Sequence, residues 1–488
     1  MTSAATAANA QPTSPVRRRL GNRLNDLSWK DWLLYQKSFF QVTDDSALFK
    51  GIIEFFTKRR TPEGRQGHVL ALSFDRELPL IPASGRNVVR GCLPGTQLKS
   101  WCREPEEEAP FDLLIVDMRA WQSPPKDDAA LLRDELTLFY EKCRRLLRPE
   151  AFCVVLGYED PQGEGSFPLP WVAASAARGS FRLRDEKIGL EDDAGKRILY
   201  MNVLQAVAEI GPGTPPANSF SLAVGPEALS QQWVKPRPKP RQKTEILHPA
   251  KFPEELVSTF ISALSDEGDT VLDPMGGTAS SALAALRLGR SPVVIELDAQ
   301  WAALARTRLE ASRGLFERDL QGVVVQGDAR DVRKLVPKSL RPVKYTVTSP
   351  PYWRMLHNVG MHVPTEGQRA RRAKGLKTTY SDSEKDLGNV GEYEQFIEEL
   401  AVIYERVARV MSPGSVLTCI TKNIKYERAV YPIAWDLVFR LCNTRKGKFE
   451  YAGTTFWCQD DVGLKPFGMG CDWISNILHH YCIHLRVR

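Results

Sequence analysis

Between Glu254 and Ser349 short apolar runs alternate with helical patterns, and this rhythm restricts the chain more than any other feature. "PEELVSTFISALS" has helical spacing, "DTVLDP" reads as a strand, "ASSALAALRLG" as a helix and "SPVVIELD" as a strand. "DAQWAALARTRLEASRG" is again helical, and "GVVVQGD" and "VKYTVTS" are further strands. Continuous Val/Ile/Leu runs separated by amphipathic helices are the signature of parallel strands covered on both faces. The expected fold is therefore α/β, a doubly wound sheet of Rossmann-like type in the C-terminal half. A weaker version of the rhythm occurs earlier. Residues 26–60 are aromatic-rich and helical in pattern, "RQGHVLALSF", "FDLLIVDM" and "AFCVVLG" read as buried strands, and "LLRDELTLFYEKCRRLL" is an amphipathic helix.

The two halves are related in pattern. "FYEKCRRLLRPEAFCVVLG" (139–157) runs without gaps along "IYERVARVMSPGSVLTCIT" (403–421), keeping Tyr140 with Tyr404, Glu141 with Glu405, Arg145 with Arg409 and Pro149 with Pro413. Upstream, "IVDMRAW" lies on "VTSPPYW", so that Asp117 stands opposite Ser349 and Trp121 opposite Trp353. The expected organisation is a disordered tail over 1–22 and an N-terminal α/β domain over 23–225 that is a degenerate copy of the second. A basic, proline-rich linker follows over 226–244, then a catalytic domain over 245–488 with an insertion at 354–392.

At 488 residues and 43% hydrophobic content, the chain can bury ordinary cores. Nine cysteines without CxxC or Cys/His spacing point to neither a zinc site nor a disulfide framework, and they fit a reducing, cytoplasmic setting. No metal is expected. No apolar run has membrane-spanning length, and the N-terminus lacks the apolar centre of a signal peptide. The net charge of +7 is mild, yet the cations cluster. Lys235, Arg237, Lys239, Arg241 and Lys243 interleave with prolines in the linker, and Arg369, Arg371, Arg372, Lys374 and Lys377 crowd the insertion. Such clusters suit a phosphate backbone, the bland alternative being solvated loops.

Chemistry collects at the strand ends. In a doubly wound sheet ligands lie outside the carboxyl ends of the strands, and "VLDPMGGTASS" supplies a strand, an acidic residue and a Gly-containing turn into a helix. Gly276 and Gly277 permit close backbone approach. Glu296 ends the next strand at the spacing of a ribose acceptor, and Asp328 ends a third. Ser349-Pro350-Pro351-Tyr352-Trp353 then ends a fourth in a turn that two prolines bar from both helix and ladder. An ordinary proline turn would explain it in isolation; beside three acidic strand ends it reads as part of a site.

These motifs, in the order "HPAKFPEELVSTFI", "VLDPMGGTASSALAALRLGR", "VVIELD", "GDARDV", "TSPPYW" and "YERVARVMSPGSVL", resemble those of S-adenosylmethionine-dependent DNA amino-methyltransferases over residues 245–488. The resemblance implies that His248, Pro249, Phe252 and Pro253 cover the methionine end of S-adenosylmethionine. It further implies that Asp273, Pro274, Met275, Gly276 and Gly277 form the cofactor turn, that Glu296 takes the ribose, and that Asp328 lies near the adenine. Ser349, Pro350, Pro351 and Tyr352 would be the catalytic motif, with DNA as the substrate.

Ser349 Oγ and the Pro350 carbonyl could accept hydrogen bonds from an exocyclic amino group and turn its lone pair towards a sulfonium methyl, while Tyr352 offers a face to a flipped base. Carbon-5 cytosine methylation would need a thiolate, usually in Pro-Cys, and the chain contains no Pro-Cys. In the family, serine at the first motif position accompanies cytosine N4 more than adenine N6. Adenine N6 stays open. So do an RNA base enzyme, because "DPMGGT" is also similar to the cofactor turn of guanine-modifying RNA enzymes, and a non-catalytic nucleic-acid-binding protein on a decayed fold. Ala279 stands where the family commonly has glycine, and Met275 where it has an aromatic residue. Neutralising Arg369, Arg371, Arg372 and Lys374 together is expected to weaken DNA binding and flatten its salt dependence, read as the slope of log affinity against log salt.

Overall fold

In the computed structural model, the described residues are 24–95, 98, 110–121, 129–159, 167–192, 197–207, 222–223, 232–237, 252–313, 321–354, 381, 383–426, 429–443, 447–460 and 475–488. His248, Pro249 and the insertion cations Arg369, Arg371, Arg372, Lys374 and Lys377 lie outside them.

The second half is built on β9 (Thr270–Asp273), β10 (Ser291–Glu296), β11 (Val323–Gln326), β12 (Val343–Thr348), β13 (Met411–Thr421), β16 (Phe449–Cys458) and β17 (His479–Val487). The three-residue strand β8 (Gln232–Val234) is appended at one edge, and the sheet order is β11-β10-β9-β12-β13-β17-β16-β8. β9 to β13 are parallel, because a helix covers each crossover. Sequence rhythm predicts a parallel sheet, but β17 inserts antiparallel between β13 and β16. This short-range return leaves no βαβ pattern to read. β14 (Ile424–Tyr426) and β15 (Ala429–Tyr431) form a separate antiparallel hairpin.

The first half forms a seven-stranded sheet from β1 (Phe39–Gln41), β2 (His68–Phe74), β3 (Asn87–Leu93), β4 (Phe111–Asp117), β5 (Leu147–Gly157), β6 (Phe181–Leu190) and β7 (Ile198–Ala206). Its order, read from the opposite edge, is β3-β2-β4-β5-β7-β6-β1. β7 is again the antiparallel insert between β5 and β6. The irregularities recur as well: β4 and β5 slip between Phe111 and Leu113, as β12 and β13 slip between Val343 and Tyr345. β1 pairs parallel with β6 as β8 does with β16. The two sheets are thus two versions of one arrangement, the first lacking a counterpart of β11 among the described residues.

The registers also align the strand ends. Val69 pairs with Leu113 as Val271 pairs with Tyr345, so Ala71 stands where Asp273 stands and Asp117 where Ser349 stands. Carried across the β2–β3 ladder, the same register puts Cys92 where Glu296 stands. β2 continues to Phe74 with no glycine at its end and no helix before β3, and the one glycine of the connection, Gly85, lies in the turn that leads into β3. The first half therefore lacks both carboxylates of the second half's strand ends. In place of the Pro-Pro turn, Arg119 folds back on Asp117 through two hydrogen bonds of 2.8 and 2.9 Å and reaches Asp45 at 2.6 Å.

One apolar cluster runs through both halves. At its centre Trp171 stacks on Trp435, centroids 6.3 Å apart. These tryptophans are the third residues of the helices Leu169–Ala177 and Ile433–Leu441, each preceded by a proline. Asp117→Ala should lower stability by about 3 kcal/mol, since it strips a partner from the buried Arg119. A denaturant titration measures this, and turnover per folded molecule should stay near that of the parent chain.

Candidate active site

A cleft opens over the carboxyl ends of β9, β10, β11 and β12, lined among others by Phe252, Pro274, Met275, Gly276, Gly277, Glu296, Asp328, Ser349 and Pro351. Its empty space, counted out into the open solvent at its mouth, is about 920 Å³. The cleft gathers residues that are distant in sequence because β9 and β12 are neighbours: Tyr345 pairs with Val271 and Thr346 with Leu272. The glycine turn and the Pro-Pro turn leave adjacent strands on the same side.

The turn after β9 is held from below. Asp273, 3% exposed, accepts hydrogen bonds from the Ser281 hydroxyl at 2.5 Å and the Met275 amide at 3.2 Å. Gly276 has no room for a side chain, since a Cβ would come within 2.4 Å of Val294 Cγ1. Gly277 has φ 52 and donates its amide to Glu296 Oε2 at 2.8 Å. The other oxygen of Glu296 accepts the Asp298 amide at 2.8 Å. Ala279, the departure from glycine noted in the sequence, keeps the left-handed conformation at φ 63 while fully buried. A Cβ there costs about 1–2 kcal/mol, which the surrounding turn sustains.

Burial pushes the Asp273 carboxyl up to about 6 against the opposing hydrogen bonds from Ser281 and Met275. Burial likewise pushes Glu296 up to about 7, against the amides of Asp298 and Gly277. Desolvated carboxylates beside a glycine turn and a helix start, facing apolar Phe252, Met275, Leu297 and Trp301, suit a ligand with a flat ring, paired hydroxyls and a cationic end. S-adenosylmethionine fits that description.

Two expected placements differ in detail. Asp328 is not the end of β11, which stops at Gln326; it caps the short helical turn that follows, accepting the Arg330 amide at 2.9 Å. Its carboxylate also takes the Arg330 guanidinium at 3.1 Å, and that guanidinium is shared with Glu399. Tyr352 does not offer an open face. It is 5% exposed, its hydroxyl lies 3.2 Å from Ser349 Oγ, and its ring leans on His480, which stacks on Trp457. Burial holds the Tyr352 phenol well above its usual range. Phe252 lines the cleft, while Pro253 caps the helix Glu254–Leu264.

Trp301, Arg330, Ser381, Lys385 and Leu387 also line the cleft and escaped the sequence reading. Trp301 lies in the first turn of the helix Ala299–Arg313, just beyond the acidic strand end, a position that sequence spacing could have flagged. Ser381, Lys385, Asp386 and Leu387 come from the later part of the expected insertion, and nothing local marks them.

Comparison with known proteins gives a sequence match to the DNA methylase family of N6/N4 type over residues 222–307. The type II methyltransferase M2.DpnII of Streptococcus pneumoniae is 37% identical over 83 residues, 17% of this chain and 31% of that protein. The DNA adenine methyltransferase YhdJ of Escherichia coli (strain K12) is 31% identical over 91 residues, 19% of this chain and 31% of that protein. The chain thus matches less than a third of the length of either relative. Among solved structures, the 16S rRNA N2 G1207 methyltransferase RsmC of Thermus thermophilus, in complex with AdoMet and guanosine, aligns with 88% of this chain and 90% of its own. The identity is 16% and the TM-score 0.26.

The carboxyl raised by burial gives a signed pH dependence. In the ligand-free protein the contribution of Glu296 to stability is fully present below its ordinary value of 4.5 and is lost as pH rises through about 7. Hydroxyl donors need the ionised form, so S-adenosylmethionine affinity should rise as pH passes through that value. Calorimetric titrations at several pH values check this, and Glu296→Gln should bind more weakly with the step removed.

Proposed function

We propose that this chain, a member of the DNA amino-methyltransferase family, transfers a methyl group from S-adenosylmethionine to the exocyclic amino group of a DNA base, cytosine N4 in the reading favoured by Ser349. The observation that carries the proposal is the shared cleft: Ser349 and Pro351 line the same space as Gly276, Gly277 and Glu296. A methyl acceptor held by the Pro-Pro turn would face a donor held by the glycine turn.

S-adenosylmethionine, when bound, supplies an electrophilic methyl group on a sulfonium. The residues of this chain do the positioning. The lone pair of a base amino group is delocalised into the ring, so the group needs acceptors that fix its hydrogens and free the lone pair. Ser349 Oγ and the Pro350 carbonyl are such acceptors, and the two prolines stiffen the turn that bears them. Ser349 Oγ and the Tyr352 hydroxyl lie 3.2 Å apart as mutual partners. An incoming amino group would replace Tyr352 as the partner of Ser349, and the released phenol ring could then turn to the base. A base inside a duplex cannot reach this pocket and would be flipped out.

The name of one relative, a DNA adenine methyltransferase, favours adenine N6 as the second reading. Both bases present the amino group in the same way to the turn. The N-terminal half, with Ala71, Cys92 and the Arg119–Asp117 pair at the corresponding strand ends, is proposed to be chemically silent and to serve in DNA recognition or in packing against the catalytic half.

Purified protein incubated with S-adenosylmethionine and DNA, followed by nucleoside mass spectrometry, identifies the base, and single-molecule sequencing of DNA from expressing cells gives the motif. Ser349→Ala is expected to cut methyl transfer by about 100-fold or more with cofactor affinity retained. Tyr352→Ala should cost about 1–3 kcal/mol in holding the extrahelical base and shift preference towards mismatched targets, where flipping is easier. Full activity of Ser349→Ala would remove the pocket assignment, and N6-methyladenine as the product would change only the base.

A further inference from the structure

Trp353 closes the Pro-Pro turn, and its indole sits in a cage of three tyrosines. Ring centroids lie 4.6 Å from Tyr431, 5.2 Å from Tyr393 and 5.7 Å from Tyr426. The next residue, Arg354, takes a left-handed φ of 47 and lays its guanidinium over Tyr426 at 5.4 Å. The cage is assembled from two separate pieces: Tyr393 begins the helix Tyr393–Ala408, whereas Tyr426 and Tyr431 belong to the hairpin of β14 and β15.

Each piece is tied to a charged residue of the N-terminal half. The Tyr393 hydroxyl donates to Asp436 Oδ2 at 2.8 Å, and Asp436 in turn accepts both arms of the Arg178 guanidinium at 3.0 and 3.1 Å. On the other side, the Lys425 ammonium of β14 donates to Asp185 Oδ2 at 3.1 Å and to the Ser475 carbonyl at 2.6 Å. Asp185, on β6, also accepts the Ser475 hydroxyl at 2.5 Å, and its side chain is 1% exposed. A fork pair and a buried ion pair are the contacts that fix geometry most narrowly, because neither partner tolerates losing the other.

We infer that the N-terminal half is a positioning element for the Pro-Pro turn, with Arg178 and Asp185 as the positioning residues that hold the tyrosine cage around Trp353. This rests on the reading of Ser349 to Tyr352 as the pocket for the reacting amino group. The prolines make the turn rigid within itself, but they do not aim it. Its aim towards the cofactor cleft is set where Trp353 is gripped, and a shift of about 1 Å in such a setting costs about 100-fold in rate. Neither Arg178 nor Asp185 lines the cofactor cleft, so the effect should appear in turnover and not in cofactor affinity.

The test uses the full-length chain with Asp185→Asn, Arg178→Lys and the charge-preserving Asp185→Glu. For the first two, kcat at saturating DNA should fall about tenfold or more, with S-adenosylmethionine affinity within about twofold of the parent. Asp185→Glu should recover most of the loss. Hydrogen exchange, which needs no activity, should show faster exchange over residues 352–354 in Asp185→Asn and unchanged exchange over 276–281. An unaltered kcat, an equal loss in Asp185→Glu, or a loss matched by weakened cofactor binding would overturn the inference. A parent chain that methylates no nucleic acid would defeat the proposed function instead, and the exchange data would still decide whether the N-terminal half holds the turn.

Discussion

The site depends on the parallel pairing of β9 with β12. These strands are far apart in sequence, yet Val271 lies against Tyr345 and Leu272 against Thr346, so the turns that leave them emerge side by side. One carries Asp273 and the two glycines; the other carries Ser349 and the prolines. β9 and β12 meet where the strand order reverses direction, the point at which an open α/β sheet has a natural crevice. Everything else at the cleft is support for that juxtaposition: Ser281 under Asp273, the Gly277 amide on Glu296, and the space that Gly276 leaves for Val294.

The two halves share an arrangement and differ at one place. Sheet order, the antiparallel insert, the slip of β4 against β5 and of β12 against β13, and the buried helix tryptophan are all present twice. What differs lies at the strand ends. Where the second half has buried acids with spare acceptor capacity over an open cleft, the first has Ala71, Cys92 and an acid neutralised by Arg119. Core packing is shared because both sheets must bury the same faces. The strand ends can differ without disturbing that packing, since loops at a sheet edge carry little of it. The price of an unused acidic pocket is desolvation without a ligand, and an ion pair inside the same half removes it.

The interface between the halves is likewise more than apolar contact. Trp171 and Trp435 stack at its centre, while around them Glu186 takes the hydroxyl of Tyr481 at 2.5 Å and, at 3.4 Å, the indole of Trp435. Burial pushes the Glu186 carboxyl up to about 8. A buried acid held by donors from the other half specifies one docking geometry, in a way that an oily surface alone would not.

The sequence by itself determined the strand and helix alternation of the second half, the glycine turn, the acidic strand end at Glu296, the Pro-Pro turn and the kinship of the two halves along 139–157 and 403–421. These are local patterns whose physical causes, side-chain periodicity and the backbone limits of glycine and proline, act within a few residues. Only the tertiary structure decided that β17 runs antiparallel between β13 and β16, that Arg330 holds Asp328, that Tyr352 is covered and bonded to Ser349, and that Ser381, Lys385, Asp386 and Leu387 line the cleft. It also decided that Arg178 and Asp185 reach across to Asp436 and Lys425, which adjoin the tyrosines around Trp353. Each of these depends on which distant residues meet, and pairing between distant segments is set by the packing of the whole chain, which no local spacing records.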